Sequence, residues 1–251
     1  MRPVRRLLVP LIGLAAAALP AVAQSAEPAW SVTGYLQQSW PKQTETNRQI
    51  RQDLNGGLGT HFKTWDDVPN LNLGFLALRR VAPGWKVGLE LDYSKGKIDG
   101  KEGLDLSGLG LGPGTASFEQ QYSIYADLMV LVEHHPLGGS GCWSPFLRGG
   151  LGFAYEKDTT HLGFSSRVGA GDFELLKVNN SGWFPMATAG IGLDVYLSPR
   201  RDWFAEVGLS YSWARLKRDA QASGLLAPGA TVKADTDSTG PNAWIGFGRR
   251  F

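Results

Sequence analysis

The chain alternates. Between Trp85 and Lys95, Trp85, Val87, Leu89, Leu91 and Tyr93 fall on one face of an extended segment, and Lys86, Gly88, Glu90, Asp92 and Ser94 on the other. Trp203, Ala205, Val207, Leu209, Tyr211 and Trp213 oppose Phe204, Glu206, Gly208, Ser210 and Ser212 in the same way. Trp143, Leu147, Leu151, Phe153 and Tyr155 oppose Arg148, Gly150, Gly152, Ala154 and Glu156, and Tyr122, Ile124, Leu128, Val130 and Val132 oppose Glu119, Gln121, Ser123, Asp127 and Glu133. A period of two held this strictly belongs to sheet with one apolar and one polar face.

Eight segments read as long strands: Ala29–Trp40, Leu71–Val81, Trp85–Lys95, Phe118–His134, Trp143–Glu156, Trp183–Tyr196, Trp203–Leu216 and Thr239–Phe251. Each is near or above the 9–11 residues that a tilted strand needs to cross a bilayer, whereas strands of soluble domains run about 5–6. The links alternate in length. Ala82-Pro83-Gly84, His135 to Cys142 and Leu197 to Asp202 are short; the links 41–70, 96–117, 157–182 and 217–238 are long. Loops of that length are uncommon in compact domains. Short turns at one end and long loops at the other describe an up-and-down barrel in an outer membrane.

Aromatic positions decide which way the apolar face points. On the apolar faces, Trp85 pairs with Tyr93, Trp143 with Tyr155 and Trp203 with Trp213, separated by 8, 12 and 10 residues. With a rise of roughly 3.3 Å and a tilt near 40°, these project to about 20, 30 and 25 Å. An outer-membrane barrel has an apolar band about 25 Å tall with an aromatic girdle at each edge. A sandwich core has no reason to hold its Trp and Tyr in two rows at that spacing. Trp183 joins the same girdle set. The surrounding lipid is then the first partner.

The start of the chain has a different grammar. Arg2, Arg5 and Arg6 precede an apolar run from Leu7 to Leu19, and Ala21-Val22-Ala23 gives a small-x-small cleavage pattern. Residues 1–23 read as a secretory signal peptide, and 24–251 as the barrel domain. The run is too short to span a membrane, which takes roughly 17–25 residues. Of 25 basic residues three lie in this leader, leaving 22 against 23 acidic ones. That balance argues against a nucleic-acid partner, which asks for a basic excess. Cys142 is the one cysteine, so an exported domain of this size has no disulfide framework. A closed hydrogen-bonded sheet is another way to hold it together.

Three stretches carry a family resemblance. These are Pro145 to Tyr155 (PFLRGGLGFAY), Gly190 to Ser198 (GIGLDVYLS) and the closing Ala243 to Phe251 (AWIGFGRRF). Over Ala29 to Phe251 the chain resembles the small eight-stranded outer-membrane β-barrel superfamily that includes the OmpA membrane domain, OmpX and OmpW. The final Phe251, with Phe247 and Ile245 on its face, resembles the assembly signal of such proteins, although Arg249 stands where an aromatic is common. The resemblance implies the barrel assembly machinery and periplasmic chaperones as partners during biogenesis. It also implies an all-β, eight-stranded antiparallel up-and-down transmembrane barrel in the bacterial outer membrane.

An eight-stranded barrel has an interior that side chains just fill. The polar set expected there is Lys86, Glu90, Asp92, Asp127, Arg148, Glu156, Asp194 and Glu206, with Glu119 and Glu133 beside them. One reading is a salt-bridged plug with Arg148 pairing carboxylates, so that function lies in the external loops. There Trp65, Phe164 and Phe173 suit an extracellular protein or glycan ligand. A second is a narrow passive channel, selective for cations or, given the two apolar faces Leu71, Leu73, Phe75 and Leu76, Leu78, open to apolar solutes as in OmpW. A third is a lipid-modifying enzyme of the PagP or PagL kind, which needs Ser, His and a carboxylate at the outer end. His134 and His135 sit at a periplasmic turn and His61 and His161 in long loops, so no catalytic residue is assigned. Glu133, His134 and His135 show no third metal ligand in sequence, and Gly108 to Gly114 lacks the strand-before, helix-after context of a phosphate loop. No metal or cofactor is expected.

Overall fold

The computed structural model describes residues 29–41, 44–65, 68, 70–137, 142–169, 171–233 and 236–251. The expected leader at 1–23 lies outside the described residues. Eight strands form a ring: β1 (Trp30–Ser39), β2 (Asn70–Ala82), β3 (Trp85–Leu106), β4 (Gly112–His134), β5 (Trp143–Ser166), β6 (Asp172–Tyr196), β7 (Trp203–Leu216) and β11 (Gly240–Arg250). Each pairs antiparallel with the next, β7 with β6 and β11, and β1 with both β2 and β11. Closure leaves no edge strand in the ring, which hydrocarbon requires because it offers backbone groups no partner.

The apolar face points outward. Leu71, Leu73, Leu89, Leu151, Ile191, Leu209 and Ile245 are all more than half exposed, which no soluble core would tolerate. Aromatic side chains border this belt. Trp85, Trp143 and Trp203 stand on the outer wall at the starts of their strands, and Tyr93, Trp183 and Trp213 stand on it further along. Tyr155 is half-buried against Trp183, with ring centroids 5.2 Å apart. Trp203 stacks on Phe247, and the Arg249 guanidinium lies 5.1 Å from both the Trp203 and Phe251 rings. Ile245, Phe247 and Phe251 are exposed on this wall. At the β6–β7 turn the Ser198 hydroxyl bonds the Asp202 carboxylate, holding that group below its ordinary pKa.

Beyond the outer girdle the structure differs from the sequence reading. The long links at 96–117 and 157–182 are not irregular: β3 and β4 stay paired as far as Leu106 and Gly112, and β5 and β6 as far as Ser165 and Asp172. Thirteen residues separate Tyr93 from Leu106, about 30 Å of rise at a 40° tilt. The glycine-rich stretch at 108–114 is the tight end of such a hairpin, with Gly110 and Gly112 at positive φ. The final link adds short strands β8 (Asp219–Ser223), β9 (Thr231–Lys233) and β10 (Thr236–Asp237) beside β6 and β7. The first link folds into α1 (Thr44–Gln49) and a π-helical turn (Ile50–Gly56).

The parity of β4 also changes. A bulge at Ser123 makes two β4 residues oppose one on β3 and one on β5. Below it Asp127, Met129, Leu131 and Glu133 face inward; above it Tyr122, Gln120, Phe118 and Ala116 do. Tyr122 is therefore buried, and Glu119, expected in the lumen, stands on the outer surface with Lys97 at 2.9 Å. One inserted residue reverses every later side chain, because the strand period is two.

Candidate functional site

The lumen is built from the inward positions of all eight strands. Lys86, Glu90, Asp92, Asp127, Arg148, Glu156, Asp194 and Glu206 all point into it, and all but the half-buried Lys86 are buried. At the periplasmic end one network ties several together. Glu133 accepts from Arg148 Nε (3.0 Å) and Nη2 (2.6 Å) through one oxygen, and from Lys86 Nζ (2.7 Å) through the other. Arg148 Nη1 lies 2.9 Å from Glu206 Oε1, which also accepts from the Trp244 indole N–H at 2.6 Å. Lys86 and Arg250 approach Asp194 at 3.7 and 3.3 Å. A buried carboxylate with several charged donors is the arrangement that offsets the cost of taking charge out of water.

Arg148 is held by shape as well as charge. Its guanidinium lies 4.7 Å from the Phe146 ring centroid and 5.3 Å from that of Trp244. Those rings lie against Gly192 and Gly208, where an added Cβ would meet Phe146 Cζ and Trp244 Cζ2 at 2.2 Å each. The glycines of the lumen wall thus make room for a planar stack around one cation. Beside it Tyr35, Leu76, Leu78, Met129, Leu131, Phe146 and Trp244 form an apolar cluster. The second apolar face of β2 is this lumen patch, and Leu71, Leu73 and Phe75 face lipid.

Sequence reasoning missed three contributors. Arg250 sits beside the outward Arg249, Tyr35 donates to Asp92 at 2.5 Å, and Arg218 reaches Asp158 (3.2 Å) and Glu156 (3.6 Å) from beyond β7. Strict alternation signals the first two. Arg218 lies in a link, where period carries no information.

His135 is also drawn inward. Its Nε2 lies 2.7 Å from Glu133 and its Nδ1 2.7 Å from Ser144 Oγ. A carboxylate only accepts, so Nε2 carries the hydrogen and the Ser144 hydroxyl donates to Nδ1 of the neutral ring. The order Ser–His–Glu resembles that of a hydrolase triad. Ser144 is completely buried, however, and Glu133 is already committed to Lys86 and Arg148. Glu133, His135 and Asp194 come close enough to share a metal, Asp194 being the third ligand the sequence did not reveal. Lys86, 2.7 Å from Glu133 and 3.7 Å from Asp194, supplies positive charge there already.

Two voids remain between these groups. One, of about 30 Å³, is bordered by Gln37, Asn72, Asp127, Glu156 and Asn242; the other, of about 20 Å³, by Tyr35, Glu90, Arg148 and Trp244. Each holds one or two waters at most.

Above the membrane the extended hairpins enclose a second core. Phe62, Trp65, Ile98, Phe118, Tyr122, Leu162, Phe164 and Leu175 are buried together. Trp65 donates to Gln120 Oε1 at 2.8 Å and packs on Tyr122, with centroids 4.6 Å apart; Phe62 meets Phe118 at 5.3 Å. Gly96 and Gly100 leave space for these rings, since a Cβ there would meet Trp65 at 3.0 Å and Phe62 at 2.9 Å. Trp65 and Phe164, expected as ligand contacts, are therefore core residues, and Phe173 packs half-buried against them. Leu109, Val168, Leu225 and Leu226 are the exposed apolar side chains of the tips.

The ring, the apolar belt and its aromatic borders make this an integral barrel of the small outer-membrane type. No family model matches the chain, and no curated protein matches it. Among solved structures it is similar to the outer membrane protein OprG from Pseudomonas aeruginosa, at 18% identity over 90% of this chain and 97% of that one, TM-score 0.47. It is similar to outer membrane protein W of E. coli, at 15% identity over 91% and 100%, TM-score 0.42. Ail, the attachment invasion locus protein of Yersinia pestis, is similar at 13% identity over 89% and 98%, TM-score 0.39.

Proposed function

We propose that this protein is a non-enzymatic interaction platform: a sealed barrel that anchors a folded external cap in the outer membrane and presents the cap's surface to extracellular partners. The observation that carries this reading is the pairing of a filled lumen with an ordered cap. Ion pairs from Arg148 of β5 to Glu206 of β7 and from Lys86 of β3 to Asp194 of β6 bridge strands that are not neighbours, and the residual voids are about 30 and 20 Å³. A conduit needs a continuous path, and two water-sized voids that meet only at Gln37, Met186 and Ser212 leave little room for one. The binding surface is the outside of the cap and its tips at Leu109, Val168 and Leu225, because Trp65 and Phe164 are spent on the core. The exposed row Ile245, Phe247 and Phe251 supports recognition of the final strand by assembly factors before insertion.

Single-channel recording of the refolded barrel in a planar bilayer tests the sealed lumen. A folded protein that gives no discrete steps is the expected result. Reproducible ion-conducting steps would overturn the sealed barrel in favour of a narrow channel.

A further inference from the structure

Glu90, Asp92 and Asp127 sit together in the lumen; Glu90 and Asp92 share a void with Arg148 but form no ion pair with it. Asp92 and Asp127 are direct cross-strand partners, and Glu90 is the next inward residue of β3. Their carboxylate oxygens lie within 4.8 Å of one another, and all three side chains are buried. Like charges so close and so dry are mutually unfavourable unless something positive lies between them. The cations of the lumen are engaged elsewhere: Arg148 with Glu133 and Glu206, Lys86 and Arg250 with Asp194, Arg218 with Glu156 and Asp158. Among the described residues none lies within ion-pair distance of these three carboxylates.

A second observation points the same way. Asn72 is 5% exposed, and its Oδ1 is buried without a hydrogen-bond donor; Asp127 Oδ1 is buried without one too. Both residues border the void of about 30 Å³, and Glu90 and Asp92 border the neighbouring one of about 20 Å³. The Asn72 amide nitrogen is used by Ser39 Oγ at 3.2 Å, which fixes the carbonyl as the end left over. The void thus gathers acceptors that lack a donor. Its border reaches Ser39 and Asn70, at the outer ends of β1 and β2.

We propose that Glu90, Asp92, Asp127 and Asn72 form a binding site for a divalent oxygen-preferring cation, calcium foremost, in the outer half of the lumen. Every candidate donor is oxygen, with neither imidazole nor thiolate, which selects hard cations over zinc or copper. Calcium tolerates irregular geometry and completes its shell of 6–8 oxygens with water, for which the void leaves space. Gly74 is part of the design: a Cβ there would lie 2.1 Å from Asp92 Oδ1 and from the Tyr35 ring. The Tyr35 hydroxyl then holds one Asp92 oxygen in place. The site joins β2, β3 and β4 across the wall, and goes beyond the interaction role without depending on it.

The test is calorimetric titration of calcium into the refolded mature chain, held in a non-ionic detergent free of lipopolysaccharide. Its urea midpoint is measured in parallel with calcium or with EDTA. One calcium per chain and a higher midpoint in calcium are expected. Asp127→Asn should weaken binding by about tenfold or more, since even indirect partners of metal ligands are worth about 10–100-fold. Asn72→Ala, which leaves the charges intact, should weaken it in the same direction, and Glu119→Gln on the cap exterior should leave it unchanged. A folded wild-type barrel that binds no calcium overturns the proposal. So does binding that survives both Asp127→Asn and Asn72→Ala. If calcium has no effect and Asp127→Asn stabilises the barrel, the carboxylates share protons instead.

Discussion

The barrel and the cap are made by the same strands with opposite polarity. Within the membrane β4 turns Val130 and Val132 outward and Asp127 and Glu133 inward; beyond Ser123 it turns Gln121 and Glu119 outward and Phe118 and Tyr122 inward. The surroundings impose the difference. Against hydrocarbon the apolar face must be the outer one, and in water it must be hidden. β4 changes from one regime to the other by inserting one residue, Ser123, whereas β3 and β5 keep their inward parity and change residue type, from Asp92 and Glu156 to Ile98 and Leu162. β6 has a comparable irregularity, at Leu175 opposite the Leu162–Gly163 step of β5.

The largest effect should come from removing the bulge. Deleting Ser123 would swing Phe118, Gln120 and Tyr122 to the outer surface and expel the cap core as a unit. Limited proteolysis should then cut within 44–68 while the barrel remains folded. A deletion variant whose cap stays protease-resistant would break the comparison. Next in size is the barrel's own centre. Arg148→Ala leaves Glu133 and Glu206 buried without their shared partner, and should cost about 3–5 kcal/mol in urea unfolding, with cap protection unchanged below the transition. The smallest contrast lies on one face of one strand. Val130→Arg on the lipid side should cost about 2–4 kcal/mol at mid-membrane. Gln121→Arg, nine residues back and also outward, should stay within about 0.5 kcal/mol. Equal costs would mean that the membrane boundary does not fall between them.

The barrel was legible in the sequence and the cap was not, for a physical reason. Inside the membrane two unlike solvents, lipid and a polar lumen, act on alternate residues, so the period of two is written almost without exception in β3, β5 and β7. Above the membrane the hairpin from Gly96 to Phe118 contains many glycines, of which Gly96 and Gly100 admit Trp65 and Phe62 from a distant link. Glycine spaced for close approach looks like glycine spaced for a loop. The partners of the lumen charges were partly readable: Arg148 alternates correctly, but which carboxylates it meets depends on strand order and tilt. Arg218 belongs to no repeating pattern, and Ser144 meets His135 because both are inward positions just below the Glu133–Arg148 pair, which only the strand register reveals.

The seam between β1 and β11 carries a kinetic consequence. Trp30 and Phe251 exchange both backbone hydrogen bonds, and the ladder continues from Ser31 opposite Arg250 to Ser39 opposite Asn242. These residues are the most distant in sequence of any two that pair, so the ring cannot be finished by local zipping. Until they meet, the sheet has two raw margins, each with donors and acceptors that lipid cannot satisfy. Insertion and closure are therefore one event for this chain. A molecule that loses its last strand keeps both margins open, however well the other seven pair.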